Sequence, residues 1–510
     1  MPGTSNAAGR SAAAGLRFAV YGLTLLLAVA MAVEAVNIAF YDPWGEDYFL
    51  FRLQGVLDGV SMVTLTWVMF GSLFVLLMAG LPLAFVAGGL GVIFLYLVGD
   101  SAMLNIVPSR IFPMMTNPDL AAIPLFIFMA TMLERAGLIE EMFDAVYQWM
   151  GGLRGGLAVA TILASTILAA MVGVVGAAIV TMGIIALPAM LKRHYDERIA
   201  MGSIMAGGAL GVLIPPSILA ILYAVVAQQS VGELYAGSVV PGLMLSGLYA
   251  AYVLIRAYLN PAVGPAVPVS ERLALRAKLV LLRGLIAPIL LVVVVLGLLF
   301  TGIATPVEAA GLGSFGAMLV ALIHRRLTLK TLFGASLSTV KATAMVLWII
   351  FGASIFVGLY ILKGGQTFIT DTLLGTGLSA YGILFLMMLL LVILGMFLDW
   401  VGILLLAVPI FVPIIKQLSF DGLLGLPGPS PDEVLVWFGV LYLVNMQMSF
   451  LSPPFGYALF YIRGVAPESI TMASIFRSSL VFLAIQALAL VLVVLFPALA
   501  TWLPGLMYGR

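Results

Sequence analysis

Long apolar runs, among them Leu285–Phe300, Tyr381–Leu398 and Leu480–Leu499, constrain this chain more than any other feature. Segments of this length suit a lipid bilayer, where every backbone amide must find its partner within the protein, so only helices and closed barrels can span. Barrel strands alternate apolar and polar residues over about 10 positions. These runs do not alternate, which predicts an all-α polytopic membrane protein. Composition points the same way: 63% of the 510 residues are hydrophobic and 9% are charged, where a soluble domain carries about 25% charged residues. The surface of a water-soluble protein cannot be built from so few charges. At about 20 residues per span, the apolar content sets a ceiling of roughly 16 membrane segments, which loops lower to about 12 to 14, some not crossing fully.

The same composition excludes several chemistries. The chain has no cysteine, which removes disulfides, thiolate metal sites and thiol nucleophiles, and its two histidines, His194 and His324, are too few for a histidine-rich metal centre. No organic cofactor is expected, and metal and cysteine chemistry are out. A net charge of +1 without a long basic run argues against a nucleic-acid partner. An intramembrane protease would show a G-x-S-x-G serine with a membrane histidine, or paired membrane aspartates. Both histidines sit beside basic residues at segment ends, so the chain does not read as an enzyme.

Residues 1–61 read as an N-terminal extension with one extra transmembrane helix, and 62–510 as the core. After a small, polar start, Arg17 precedes an apolar run from Phe18 to Phe40 that is interrupted by Glu34. Its length fits an uncleaved anchor; a cleaved signal peptide is the rival reading, given the small residues at Ala28–Ala32. Arg10 and Arg17 precede this run, whereas Asp42, Glu46, Asp47 and Asp58 follow it against Arg52 alone, which puts the tail in the cytoplasm. Glu34 could pair with a partner helix or sit near the interface. Three basic blocks should also be cytoplasmic: Lys192-Arg193 with Arg198; Arg256 to Arg283, with Arg272, Arg276 and Lys278; and Arg325-Arg326 with Lys330. The segment Ser270–Arg283 reads as an interfacial helix or as a plain polar linker. Between the last two blocks, runs at about 284–300 and 306–323 go out and return. The turn joining them, Thr305-Pro306-Val307-Glu308, has the form of a capping box, with Thr305 and Glu308 as the capping pair. Glu308 could instead bind a cation or proton, but its place at a helix start favours the cap.

Two features repeat. Gly155–Leu191 is too long and too glycine-rich for one span, and fits two short helices meeting near Val172–Gly176, a re-entrant hairpin. Ile383–Lys416 is its counterpart. Each is followed by a double proline, Pro215-Pro216 and Pro453-Pro454, 238 residues apart. Two adjacent prolines remove two amide donors and disfavour helix at the preceding residue, so a helix breaks there and exposes carbonyls. Unwound backbone at membrane depth is tolerated where it is buried in protein or lines a wet cavity. Such carbonyls can replace the water shell of Na⁺, and half-helix N-termini can face an anion. The competing reading is a pair of structural kinks, common in membrane helices; two breaks in register at half-chain spacing favour a functional site. Asp399 is the one acid in Ile383–Ile415, either a group that helps bind Na⁺ and organise the second tip or an interfacial acid at a turn. Lys341 and Lys416 snorkel from helix ends.

Four motifs in order, Ala122–Met129 through Leu133-Glu-Arg-Ala-Gly137, Gly211–Ser217, Gly302–Ala309 and Ser452–Gly456, resemble the large membrane subunit (DctM-like) of tripartite ATP-independent periplasmic (TRAP) transporters over about residue 62 to the C-terminus. Asn445–Ala466 looks most like the branch labelled mannitol or chloroaromatic transport, which is not a substrate assignment. The resemblance implies an inverted-repeat, elevator-type secondary transporter of the bacterial inner membrane, with repeats at about 100–260 and 335–510, two re-entrant hairpins and two broken helices. It implies Na⁺-coupled import of a small organic acid delivered by a periplasmic substrate-binding protein, with a small membrane subunit as partner. The extension is too short for a fused four-helix small subunit, so that subunit is expected as a separate chain. Carried over by position, one Na⁺ site would involve Val172, Gly173, Val174, Gly211, Leu213 and Pro216, and a second Gly395, Asp399, Ser449, Leu451 and Pro454. Ser217 and Ser452 would lie beside the substrate. The family often has polar side chains at the first tip; Val172 and Val174 offer only carbonyls. A stand-alone ion-coupled organic anion carrier of the same superfamily is the alternative, and an uncoupled channel a more distant one.

Overall fold

The computed structural model describes residues 59–98, 101–173 and 175–509, together with Val29 and Val33. Apart from Val29 and Val33, both helical, the expected helix over Phe18–Phe40 lies outside the described residues, as do Glu34 within it and Val174 at the first tip. Among the described residues the regular structure is helical, apart from one isolated bridge between Leu423 and Leu426. Among the described residues seven helices are long and apolar enough to span a membrane, or eight if Met103–Met115 and Pro118–Arg135 make one span, and six further apolar helices are shorter. Full-length spans are thus fewer than the apolar content allows, because several apolar stretches are spent on pairs of short helices.

From residue 59 the first helices are α1 (Met62–Met78) and α2 (Leu83–Val98), joined through Gly80 at φ +89°, followed by α3 (Ile106–Met115), α4 (Ala122–Arg135) and α5 (Leu138–Met150). Gly137, left-handed at φ +67°, ends α4 as a glycine stop should. Next come α6 (Gly156–Val172) and α7 (Val175–Lys192), the two arms of the first hairpin; α8 (Glu197–Ala209) and α9 (Ile218–Ala227), the halves of the first broken helix; and the long α10 (Val231–Leu259). The short α11 (Leu275–Leu281) runs at Leu282 into α12 (Arg283–Phe300). The segment read as an interfacial helix or linker is therefore in part the start of a 26-residue span, Leu275–Phe300.

After α13 (Pro306–Ile323) the order recurs. The long α14 (Leu329–Leu362) and α15 (Gly365–Leu374) lead to the second hairpin, α16 (Ala380–Gly395) and α17 (Trp400–Ile415). The second broken helix follows as α18 (Val434–Leu451) and α19 (Tyr457–Val465), then α20 (Met472–Leu495) and the terminal α21 (Ala498–Tyr508). Hairpin, broken helix and long helix thus occur twice, as the sequence predicts.

The described residues form two compact units. One contains the chain up to Thr116 together with Met345–Thr376; the other contains Asn117–Ala344 and Gly377 onward. In the first, small residues let helices approach closely, as is usual in membranes: a Cβ on Gly352 would sit 2.5 Å from the Ala84 carbonyl oxygen, and one on Gly91 2.8 Å from the Ile355 side chain. Thr66 Oγ1 and Tyr360 Oη lie 2.9 Å apart in the same unit.

The second unit has the large buried aromatics Tyr223, Tyr235, Tyr249, Trp437, Tyr442 and Phe482 at its core. The base of the first hairpin is tied to the loop after α10, since Gly155 N–H donates to Gly264 O at 2.8 Å, Val267 N–H to Gly151 O at 2.9 Å and Arg193 to Glu271 at 2.6 Å. Arg326 closes the C-terminal end of α4, donating to Ala136 O at 2.7 Å and Gly137 O at 2.9 Å while pairing with Glu141 at 2.5 Å. That arrangement satisfies carbonyls a helix end leaves open. Before α13, Thr305 N–H donates to Glu308 Oε2 at 2.8 Å and Glu308 N–H to Thr305 Oγ1 at 3.4 Å, a complete capping box. Thr305→Ala is accordingly expected to cost about 1 kcal/mol, read as a lower apparent Tm in detergent with uptake unchanged. A loss of uptake at unchanged Tm would assign Thr305 and Glu308 to the transport machinery instead.

Candidate functional site

The first hairpin turns at Gly173, whose φ of +59° is left-handed, and a Cβ there would sit 2.8 Å from the Pro216 carbonyl oxygen. Backbone conformation and close approach both require glycine. The tip therefore rests directly on the break in α8–α9. That break begins with one 3₁₀ turn, Leu210–Val212, and passes through Pro215 and Pro216, whose mutual peptide bond is cis. Among the described residues, the carbonyls of Gly211, Leu213, Ile214, Pro215 and Pro216 accept no hydrogen bond, although Gly211–Ser217 is buried throughout. Ser217 holds the two sides together: its hydroxyl donates to Val212 O at 2.6 Å and accepts from Ala220 N–H at 3.3 Å, capping α9. Tyr235 Oη donates to Ser217 O at 3.0 Å.

The second tip, between Gly395 and Trp400, rests on the break in α18–α19 in the same way. A Cβ on Gly395 would lie 2.2 Å from Ser449 Cβ and Oγ, and the Phe397 and Phe455 rings lie 5.9 Å apart. Pro453-Pro454 is likewise cis. The carbonyls of Phe450, Leu451, Pro453 and Pro454 accept no hydrogen bond among the described residues. Asn445 Nδ2 donates to Met388 O at 2.8 Å, and Ser449 Oγ lies 3.5 Å from both Leu391 O and Asn445 O, so α18 is bound to α16 just ahead of the tip. Asp399 is the N-cap of α17, its carboxylate accepting from Val401 N–H at 3.3 Å. It is half-buried, with Tyr442, Tyr457 and Tyr461 within reach of its charge.

Aligned on their proline pairs, the breaks differ in side-chain chemistry. Gly211 falls opposite Ser449, Gly207 opposite Asn445, and Ser217 opposite Phe455. The first break is backbone and Ser217; the second carries Ser449 and Asn445, and the tip that rests on it carries Asp399. Ser217 and Ser452 are therefore not equivalent: they lie on opposite sides of the prolines, and the Ser452 hydroxyl donates back to Met448 O at 2.7 Å.

Sequence reasoning missed the tyrosines. Tyr461 packs on Gly176 just past the first tip, where a Cβ would lie 2.7 Å from its ring, so it touches one hairpin while sensing the acid of the other. Tyr223 of α9 and Tyr442 of α18 pack with ring centroids 5.2 Å apart, both hydroxyls buried without a hydrogen-bond partner among the described residues. The one sequence signal was a polar-tipped aromatic at the centre of an otherwise apolar helix.

Two hairpins whose tips sit on two broken helices, in an order that occurs twice within a bundle of apolar helices, define a multi-pass membrane permease built from two repeats. Residues 70–499 match the family described as tripartite ATP-independent periplasmic transporter, DctM component, and the chain belongs to that family. It is 30% identical to the C4-dicarboxylate TRAP transporter large permease protein DctM of Rhodobacter capsulatus, over 86% of this chain and 99% of that protein. It is 27% identical to the ectoine/5-hydroxyectoine large permease UehC of Ruegeria pomeroyi, over 86% and 99%, and 28% identical to the sialic acid large permease SiaM of Vibrio cholerae, over 85% and 97%. In fold alone it is similar to the Alcanivorax borkumensis YdaH transporter, with a TM-score of 0.51 at 16% identity over 77% of this chain and 89% of that one.

Proposed function

We propose that this permease imports a small organic acid by coupling it to Na⁺, with hairpins and broken helices moving together as an elevator. The observation that carries this reading is the seating of each tip on a break whose carbonyls lack donors. A cation beside such carbonyls exchanges its water shell for fixed dipoles at little reorganisation cost. The first Na⁺ site would use backbone at Val172–Val174, Gly211, Leu213 and Pro216. The second would use Gly395, Leu451 and Pro454 together with the Ser449 hydroxyl and Asp399. With the cations in place, the N-terminal ends of α9 and α19 present partial positive charge to a carboxylate, and Ser217, Ser452 and the tyrosines line its path.

Relatives named for C4-dicarboxylate and sialic acid support an acidic solute, and the tripartite family description supports a separate small membrane subunit and a periplasmic binding protein as partners. The expected result is uptake into proteoliposomes, with both partners supplied, that requires an inward Na⁺ gradient. Equal uptake with choline in place of Na⁺ would reject the coupling; equal uptake without the binding protein would favour a stand-alone carrier.

A further inference from the structure

Beyond the transport path, one cluster of charge has no role in the reading above. At the N-terminal ends of α8 and α20 and the C-terminal end of α10, Arg198, Arg477 and Arg256 line one small cavity of about 100 Å³. None of the three guanidinium groups makes an ion pair or side-chain hydrogen bond among the described residues. Asp196, the one acid in the lining, is already engaged as the N-cap of α8, its Oδ1 accepting from Arg198 N–H at 2.7 Å. The floor is aromatic: Tyr252 and Phe482 meet edge to face with centroids 5.5 Å apart.

Three exposed arginines that line one cavity without a carboxylate partner suit an anion with several acceptor oxygens, since the guanidinium fork matches phosphate oxygens in pairs. The cavity holds about three waters' worth of volume, room for a phosphate group rather than a whole organic solute. Its surroundings indicate what carries that phosphate. Arg198 and Arg256 belong to the basic blocks that the distribution of charge puts at the cytoplasmic face, and Ile255 and Val481, next to the lining in sequence or part of it, are 60% and 42% exposed, as lipid-facing side chains are. Basic pockets between membrane helices on that side suit anionic lipid headgroups.

We infer that this cavity binds the phosphate of an anionic phospholipid from the cytoplasmic leaflet. The lipid would hold together the ends of three helices, one of which, α8, leads directly to the first break.

The test uses the purified, delipidated full-length chain and native mass spectrometry with phosphatidylglycerol or phosphatidylcholine. The expected result is retention of phosphatidylglycerol over phosphatidylcholine, cut at least 10-fold in the triple variant Arg198→Gln/Arg256→Gln/Arg477→Gln and unchanged in Arg276→Gln, a basic control on the same face. If the triple variant is not monodisperse, Arg477→Gln alone is read, with a smaller loss expected. Undiminished retention in the folded variant, or an equal loss in Arg276→Gln, would overturn the assignment. So would displacement of the lipid by an equal concentration of inorganic phosphate, which would make the cavity a site for soluble anions.

Discussion

Asp399→Ala and Asp399→Asn are both expected to lower Na⁺-dependent uptake by about 10- to 100-fold, the loss that follows from removing a charged partner from a buried interaction. Two variants are needed because Asp399 does two things at once. As the N-cap of α17 it satisfies a helix-end amide, and alanine removes that bond at a cost of about 1 kcal/mol, whereas asparagine caps about as well. As the one carboxylate at the second tip, it also places a charge within electrostatic reach of three tyrosines. If Asp399→Asn transports like the parent while Asp399→Ala is impaired, capping is the whole of its role. If both assemble and both fail, the charge is what matters. Uptake at graded Na⁺ concentration is the measurement, and a weakened Na⁺ dependence in Asp399→Asn is the expected signature.

Gly395→Ala is expected to abolish transport, because its Cβ would occupy space 2.2 Å from Ser449 Cβ and Oγ. Neither of those atoms is the end of a flexible chain, so α16 and α18 would have to separate and the second tip would leave its seat. Adding Ser449→Gly removes the obstructing atoms and imitates the first repeat, where Gly211 stands at the matching position. The double variant is expected to regain the apparent Tm lost by Gly395→Ala. Its uptake then separates two roles of Ser449: recovery of both would make the serine a packing residue, whereas recovery of Tm without uptake would identify its hydroxyl as part of the cation site. Non-additivity of this kind is expected of side chains in direct contact.

The parts of this molecule legible from sequence are those fixed by local chemistry. Pro215-Pro216 and Pro453-Pro454 can end a helix without help from anything distant. The Thr305–Glu308 box closes over four residues, and Gly137 stops α4 through its own backbone. The hairpin at 155–191 followed from a run too long for one span, and its turn falls at Gly173, within the expected tip. What remained hidden depends on packing between segments far apart in the chain. Nothing around Gly395 reveals that its missing Cβ makes room for Ser449, and nothing near Arg477 reveals that it shares a cavity with Arg198 and Arg256. Tyr223 and Tyr442 read as ordinary aromatic core, since a hydroxyl without a partner is visible only once the neighbours are known. The non-equivalence of Ser217 and Ser452 was legible: the register of the prolines puts one after the pair and one before it. The two serines looked alike only while that alignment was left out.

The two interruptions also differ in how far they are covered. Gly211–Ser217 is shut away, while Pro454 is open and Phe455 is 46% exposed. In the elevator cycle proposed above the two halves exchange conformations, which predicts that this asymmetry is reversed in the opposite-facing state. The natural absence of cysteine then becomes practical: a single thiol introduced at position 455 should react readily with a water-soluble maleimide in the state seen here, and one at position 217 only after the exchange.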